Sequence, residues 1–182
     1  MARRLGAVRR ALLAIAGVLL VAAAAYYFLI RDTTVTPHVY VPELASTIGT
    51  GSEAVGVSTK GEVVPWLPVP DEPPLPHLSI SEVPKGGHLA GPVREQALVL
   101  GAAPVALRPY VERAYLGESG IDVDLSSGIV LIFGDASQAQ RKWKAAAAIL
   151  ADPETTALDY VNVLAPNKPS VYGSGHLLPE LP

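Results

Sequence analysis

The sequence predicts an α+β protein in which an N-terminal transmembrane helix leads into a mainly antiparallel sheet with two covering helices. Three observations carry that expectation. Ala11–Ile30 is a run of 20 residues without a charge, Ile121–Leu125 alternates apolar with acidic residues and is joined by a glycine turn to the continuous apolar run Ile129–Phe133, and Ala136–Ala151 sets apolar residues three and four positions apart.

The chain has 182 residues, 17 prolines, 16 glycines and no cysteine, with 49% hydrophobic residues and a formal charge of −3. That length suits one anchored domain or two small ones. Without cysteine the chain has no disulfide framework, thiolate metal site or Cys nucleophile. The small net charge conceals a division. Arg3, Arg4, Arg9 and Arg10 precede the apolar run, whereas all 17 acidic residues lie at Asp32 or later, so 31–182 carries −7. A domain of that sign is a poor nucleic-acid binder.

Twenty helical residues at about 1.5 Å each cover about 30 Å, the thickness of a bilayer core. The arginines before Ala11 predict a cytoplasmic tail at 1–10, a span at 11–30 and an exported remainder, with Tyr26, Tyr27 and Phe28 at the interface. A cleaved signal peptide ending in Ala22–Ala25 is the competing expectation. It is disfavoured because the apolar run continues to Ile30.

Residues 31–52 lack an apolar stripe and read as a juxtamembrane linker. Ala54–Ser58 and Glu62–Val64 flank Thr59-Lys60-Gly61 as a hairpin. Six prolines between Pro65 and Pro76 exclude a helix interior or central strand and predict a loop, with a polyproline ligand as the alternative. Leu78–Ile80 reads as a short strand and Lys85–Gly91 as a glycine-rich loop. Pro92–Ala102 predicts a helix with Pro in its first turn, burying Val93, Ala97 and Leu100. Leu107–Tyr115 fits strand or helix; Pro109 favours strand.

Ile121, Val123 and Leu125 alternate with Asp122 and Asp124, then Ser126-Ser127-Gly128 turns the chain into Ile129–Phe133, an antiparallel hairpin. Ala136–Ala151 follows as a helix, with Asp135 as N-cap and Ala136, Ala139, Trp143, Ala147 and Leu150 inward. Arg141, Lys142 and Lys144 read as its solvated basic face. Leu158–Leu164 alternates as a final strand, and Pro166–Pro182 reads as a proline-punctuated tail.

Catalytic constellations are sparse. His38, His77, His88 and His176 lie too far apart in sequence for a local two-His metal motif, and no phosphate-cradling glycine loop occurs. Ser174 lies near His176 without a nucleophile-elbow context, and Asp122 with Asp124, roughly 7 Å apart on one strand face, fit that strand's solvent side. Neither a cofactor nor a metal is expected. Binding through an exposed terminal strand is favoured over an exported hydrolase using Ser174 or the aspartates. An envelope adaptor acting through its proline loop is a further alternative.

The order of these motifs resembles the β domain of the bacterial cell-division proteins FtsQ/DivIB. Ala54–Val63 is similar to that family's opening strand, glycine turn and strand, and Leu75-Pro76-His77-Leu78 to its Leu-Pro loop. Pro92–Ala102 is similar to its helix. Gly120–Gly134 resembles its alternating hairpin, Lys142 or Lys144 through Ile149-Leu150 its "K...L..IL" helix, and Leu158–Val163 with Pro166–Val171 its last strand and proline sequel. The resemblance spans 53–172 and leaves 173–182 as a tail. The linker is too short for the family's POTRA domain.

The resemblance implies a non-enzymatic divisome scaffold at the septum. It would be a single-pass protein of the plasma (inner) membrane that binds FtsB/DivIC- and FtsL-like proteins and helps regulate septal peptidoglycan synthesis. No nucleic acid or small-molecule substrate is implied. The partner is expected to add a strand alongside Leu158–Leu164, near Lys168–Tyr172. The implied contact residues are Leu158, Tyr160, Val161, Asn162, Val163, Lys168, Ser170, Val171 and Tyr172.

Overall fold

A computed structural model describes residues 26, 40–49, 51–80, 82–85 and 87–179. The expected tail and span at 1–30 lie outside the described residues apart from Tyr26, as does His38. Among the described residues no helix is long and apolar enough to cross a membrane. The chain divides into two units, Met1–Val41 and Pro42–Pro182, and the elements below belong to the second.

In chain order they are β1 (Leu44–Ile48), β2 (Val55–Ser58), β3 (Val63–Val64), β4 (His77–Leu78), α1 (Gly91–Gly101), β5 (Val111–Gly117), β6 (Gly120–Leu125), β7 (Val130–Gly134), α2 (Ala139–Leu150), β8 (Ala157–Asn162) and β9 (Ser170–Leu177). Short 3-10 turns occupy Gly51–Glu53 and Arg108–Tyr110. The strands form one nine-stranded sheet in the order β3-β2-β1-β4-β5-β6-β7-β8-β9. β4 runs parallel to both β1 and β5, and β7 parallel to β8, while the other pairings are antiparallel. The protein is therefore α+β with a mixed sheet and two α-helices among the described residues.

Three registers running across five strands show how the sheet sorts its side chains. Ala114, Val123, Leu131 and Val161 pair in sequence from β5 to β8, are fully buried, and face the helices. Their row ends on β9 at Val171, which is 48% exposed. The two adjoining rows, Arg113-Asp124-Val130-Tyr160-Tyr172 and Tyr115-Asp122-Ile132-Asn162-Ser170, lie on the opposite face.

On the covered side α1 buries Gln96, Ala97, Val99 and Leu100, with Val93 partly buried. Gln96 Oε1 accepts hydrogen bonds from the Ser79 N–H (3.1 Å) and hydroxyl (2.9 Å), tying the helix to the chain after β4. The Trp143 indole stacks obliquely on Phe133 of β7, centroids 4.9 Å apart, and its Nε1–H donates to the Val99 carbonyl at 2.7 Å. One side chain thus joins α2, α1 and the sheet.

The β2–β3 and β6–β7 hairpins form as expected, with Gly61 (φ 75°) and Gly128 (φ 90°) taking the left-handed turn positions. Six expectations are corrected. Leu44–Ile48, read as linker, is an inner strand between β2 and β4, with Ala45 to Ile48 buried. Leu107–Tyr115 is split, because Pro109 sits in a 3-10 turn and the strand begins at Val111. The second helix starts at Ala139 rather than Ala136, since Gln138 (φ 53°) breaks the helical path. Asp135 is accordingly no N-cap; its Oδ1 accepts the Ser137 N–H and hydroxyl and the Lys142 ammonium. Lys142 leaves the basic face altogether, with a side chain 3% exposed. Finally, Ser170–Leu177 in the expected tail is a strand, and it continues beyond residue 172.

The proline segment is the predicted loop between β3 and β4, with Trp66 at its start 66% exposed.

Candidate functional site

A sheet of this kind has two edges, and they differ. β3 has two residues and is followed at once by Pro65, which has no N–H to offer. β9 has eight residues, no proline and no Asp, Glu, Lys or Arg, and every residue is exposed. One row of its backbone groups pairs with β8, leaving the other row unpaired by the sheet.

The local sequence explains how this edge forms. Asn162 Oδ1 accepts the Leu164 N–H at 3.0 Å as β8 ends, and the Lys168 N–H closes onto the Ala165 carbonyl at 2.9 Å, reversing the chain through the Pro166-Asn167 turn. Ser170, Val171 and Tyr172 then pair with Asn162, Val161 and Tyr160. The Tyr160 and Tyr172 rings stack with centroids 5.4 Å apart and planes 23° apart, fixing the first half of β9. Next, the register shifts: Gly173, Ser174 and Gly175 together face Asp159, and pairing resumes at His176 opposite Leu158.

The residues implied by the resemblance separate into three groups. Leu158, Val161 and Val163 are core residues, at most 4% exposed. Tyr160 and Asn162 are half-buried on the helix-free face. Lys168, Ser170, Val171 and Tyr172 are exposed. Because β8 is flanked by β7 and β9, a strand cannot pair along Leu158–Leu164 itself; the open backbone belongs to β9. Sequence reasoning stopped at residue 172 and missed the edge from Gly173 to Leu177 and the Asp159 side chain opposite it. The signal was the Gly-Ser-Gly triplet, whose two glycines mark a strand irregularity.

The remaining candidates stay apart. Ser174 and His176 are exposed on β9. Asp122 and Asp124 lie on the helix-free face, where Arg113 bonds Asp124 (2.8 Å from Nε) and lies 5.1 Å from the Tyr115 ring centre. A cleft of about 360 Å³ between the Gly51–Glu53 turn and the proline loop includes Thr47, Asp71 and His77 in its lining, with Thr47 Oγ1 2.9 Å from His77 Nδ1. None of Ser174, His176, Asp122 or Asp124 lines it. Among the described residues no group of three metal-binding side chains converges.

Burial, with Asp124 and Glu118 nearby, raises the Asp122 pKa, and its Oδ1 is buried without a hydrogen-bond partner. A raised folded-state pKa means that the carboxyl favours folding below its ordinary value and opposes it as pH rises through the folded value. Asp122→Asn is therefore expected to raise the melting temperature at pH 7 by up to about 2 °C. The difference from wild type should vanish below about pH 3, where the acid is largely neutral in both states. Thermal unfolding at the two pH values checks this; an unchanged or lowered temperature at pH 7 refutes it.

The chain matches no protein-family model, curated protein or solved structure.

Proposed function

We propose that this chain is a membrane-anchored, non-enzymatic scaffold of bacterial cell division of the FtsQ/DivIB type, and that it accepts a strand from an FtsB/DivIC-like partner on β9. In this reading 11–30 is the anchor in the plasma membrane, the domain lies outside the cytoplasm at the septum, and FtsL-like proteins join the assembly that regulates septal peptidoglycan synthesis. The observation that carries the proposal is the asymmetry of the edges. Proline and brevity guard β3, whereas β9 is long, uncharged and exposed, the form used in β-augmentation. The buried row that ends in half-exposed Val171 supplies an apolar position for an added strand to cover. The ordered motifs from Ala54 to Val171 supply the resemblance.

Successive residues in a strand direct their N–H groups to opposite sides. Of Ser170→Pro and Val171→Pro, one therefore removes a donor on the open edge and the other a donor used by β8. Binding of the full chain in detergent to the extracytoplasmic segment of its FtsB-like protein is expected to fall at least about tenfold in the open-edge variant, with its circular dichroism unchanged. Wild-type affinity in both variants, each folded, overturns strand addition.

A further inference from the structure

We propose that Asp159 is the positioning residue that decides where along β9 a second strand can pair. The proposal rests on the strand-addition reading above. Between the pairs Tyr160–Tyr172 and Leu158–His176, three residues of β9 stand opposite Asp159 alone. The side chain of Asp159 fills that irregularity. Its Oδ1 accepts the Gly175 N–H at 2.9 Å, and a Cβ placed on Gly173 or Gly175 would collide with the carboxylate. Gly173 also has φ 88°, which disfavours any other residue.

A bulge interrupts the even spacing of donors and acceptors along an edge. An unbroken eight-residue edge without charge or proline would be a template over its whole length, for a second copy of the chain as readily as for a partner. With the bulge in place, Ser170–Tyr172 is the longest run of residues in unbroken register with β8, and His176–Leu177 beyond the bulge offers two residues. Val171 and the stacked Tyr172 lie in that same stretch. A carboxylate on the inner strand therefore limits the outer edge to its first half, and it does so through a charge-assisted bond to backbone rather than by touching the partner.

Amide hydrogen exchange on the full chain in detergent tests this with wild type, Asp159→Ala and Asp159→Asn. In the free chain, Gly175 should exchange about tenfold faster in Asp159→Ala, and near the wild-type rate in Asp159→Asn, which keeps an acceptor oxygen. Adding the extracytoplasmic segment of the FtsB-like protein should slow exchange within Ser170–Tyr172 of the wild type, but not within Gly173–Leu177. In Asp159→Ala the slowing should extend past Gly173. Slowing that runs continuously through Gly175 in the wild type, or Gly175 exchange indifferent to Asp159→Ala, overturns the proposal. Absence of slowing anywhere on β9 overturns the strand-addition reading and the proposal with it. The free-chain rates separate the two failures, since they report whether Asp159 holds the bulge without any partner.

Discussion

Trp143→Ala is expected to cost about 4 kcal/mol. The indole is fully buried, packs on Phe133 at 4.9 Å and gives its N–H to Val99 near the C-terminal end of α1. The Val99 carbonyl also accepts the Ala102 N–H at 3.2 Å, so the indole is a second, shorter donor delivered to the helix end by a neighbouring helix. Alanine leaves a cavity between two helices and the sheet while also removing that donor. Trp143→Phe restores much of the volume but not the N–H, and is expected to lose about half as much. Urea denaturation followed by circular dichroism measures both. A loss below about 1 kcal/mol for alanine would show that α2 does not depend on this contact. Against the total stability of about 5–15 kcal/mol usual for a domain, that loss removes roughly a quarter to four fifths of the whole.

Lys142→Met is expected to cost about 2 to 3 kcal/mol at pH 7. The ammonium is almost completely covered and donates to the Phe133 carbonyl at 2.9 Å, the Asp135 carbonyl at 3.1 Å and Asp135 Oδ1 at 2.6 Å. Methionine matches the stem but removes all three bonds; the Phe133 oxygen, bonded by the ammonium in a buried setting, keeps the Asp135 N–H at 2.9 Å and loses its charged donor. The carboxylate contributes less, because the Asp135 side chain is 62% exposed and solvent screens it. Lys142, followed by Ser137, holds the Asp135 carboxyl below its usual pKa. The stabilisation tied to that shift is present above the ordinary carboxylate pKa of about 3.9 and is lost as pH falls through the lower folded value. The cost of Lys142→Met should therefore shrink only partly in acid, since the two carbonyl bonds persist there. Denaturation at pH 7 and in a series falling to about pH 2 distinguishes the components. Loss of the entire effect at the acid end would assign it to the ion pair instead of the carbonyls.

The elements legible in the sequence are those whose burial alternates. β6 shows one apolar residue in two, β7 buries every second residue of a continuous apolar run, and the stripe of α2 through Ala139, Trp143 and Leu150 has helical spacing, although Ala146 rather than the expected Ala147 is fully buried. β1 escaped notice because its buried residues include Ser46 and Thr47, so polarity suggested a linker. Its place in the sheet comes from β2 and β4, partners distant from any local pattern. β9 is hidden for the opposite reason: with no buried residue it has no periodicity, and only pairing with β8 makes it a strand. Lys142 illustrates a third limit. A basic run on a helix is usually solvated, and nothing in Arg141-Lys142-Trp143-Lys144 says that one ammonium reaches the carbonyls at the end of β7. The same limits apply to the candidate site. The strand Leu158–Leu164 was readable, yet which of its neighbours owned the free edge was a property of the assembled sheet.

The contrast between the two tryptophans gives the chain a built-in pair of optical reporters. Trp143 sits fully buried in the core, while Trp66 lies 66% exposed at the head of the proline loop, and no third tryptophan contributes. Light emitted from the core and from the loop should differ in colour and in access to a dissolved quencher. Iodide will silence Trp66 first, so loosening of the loop and collapse of the helix-sheet interface can be followed separately in one unlabelled sample.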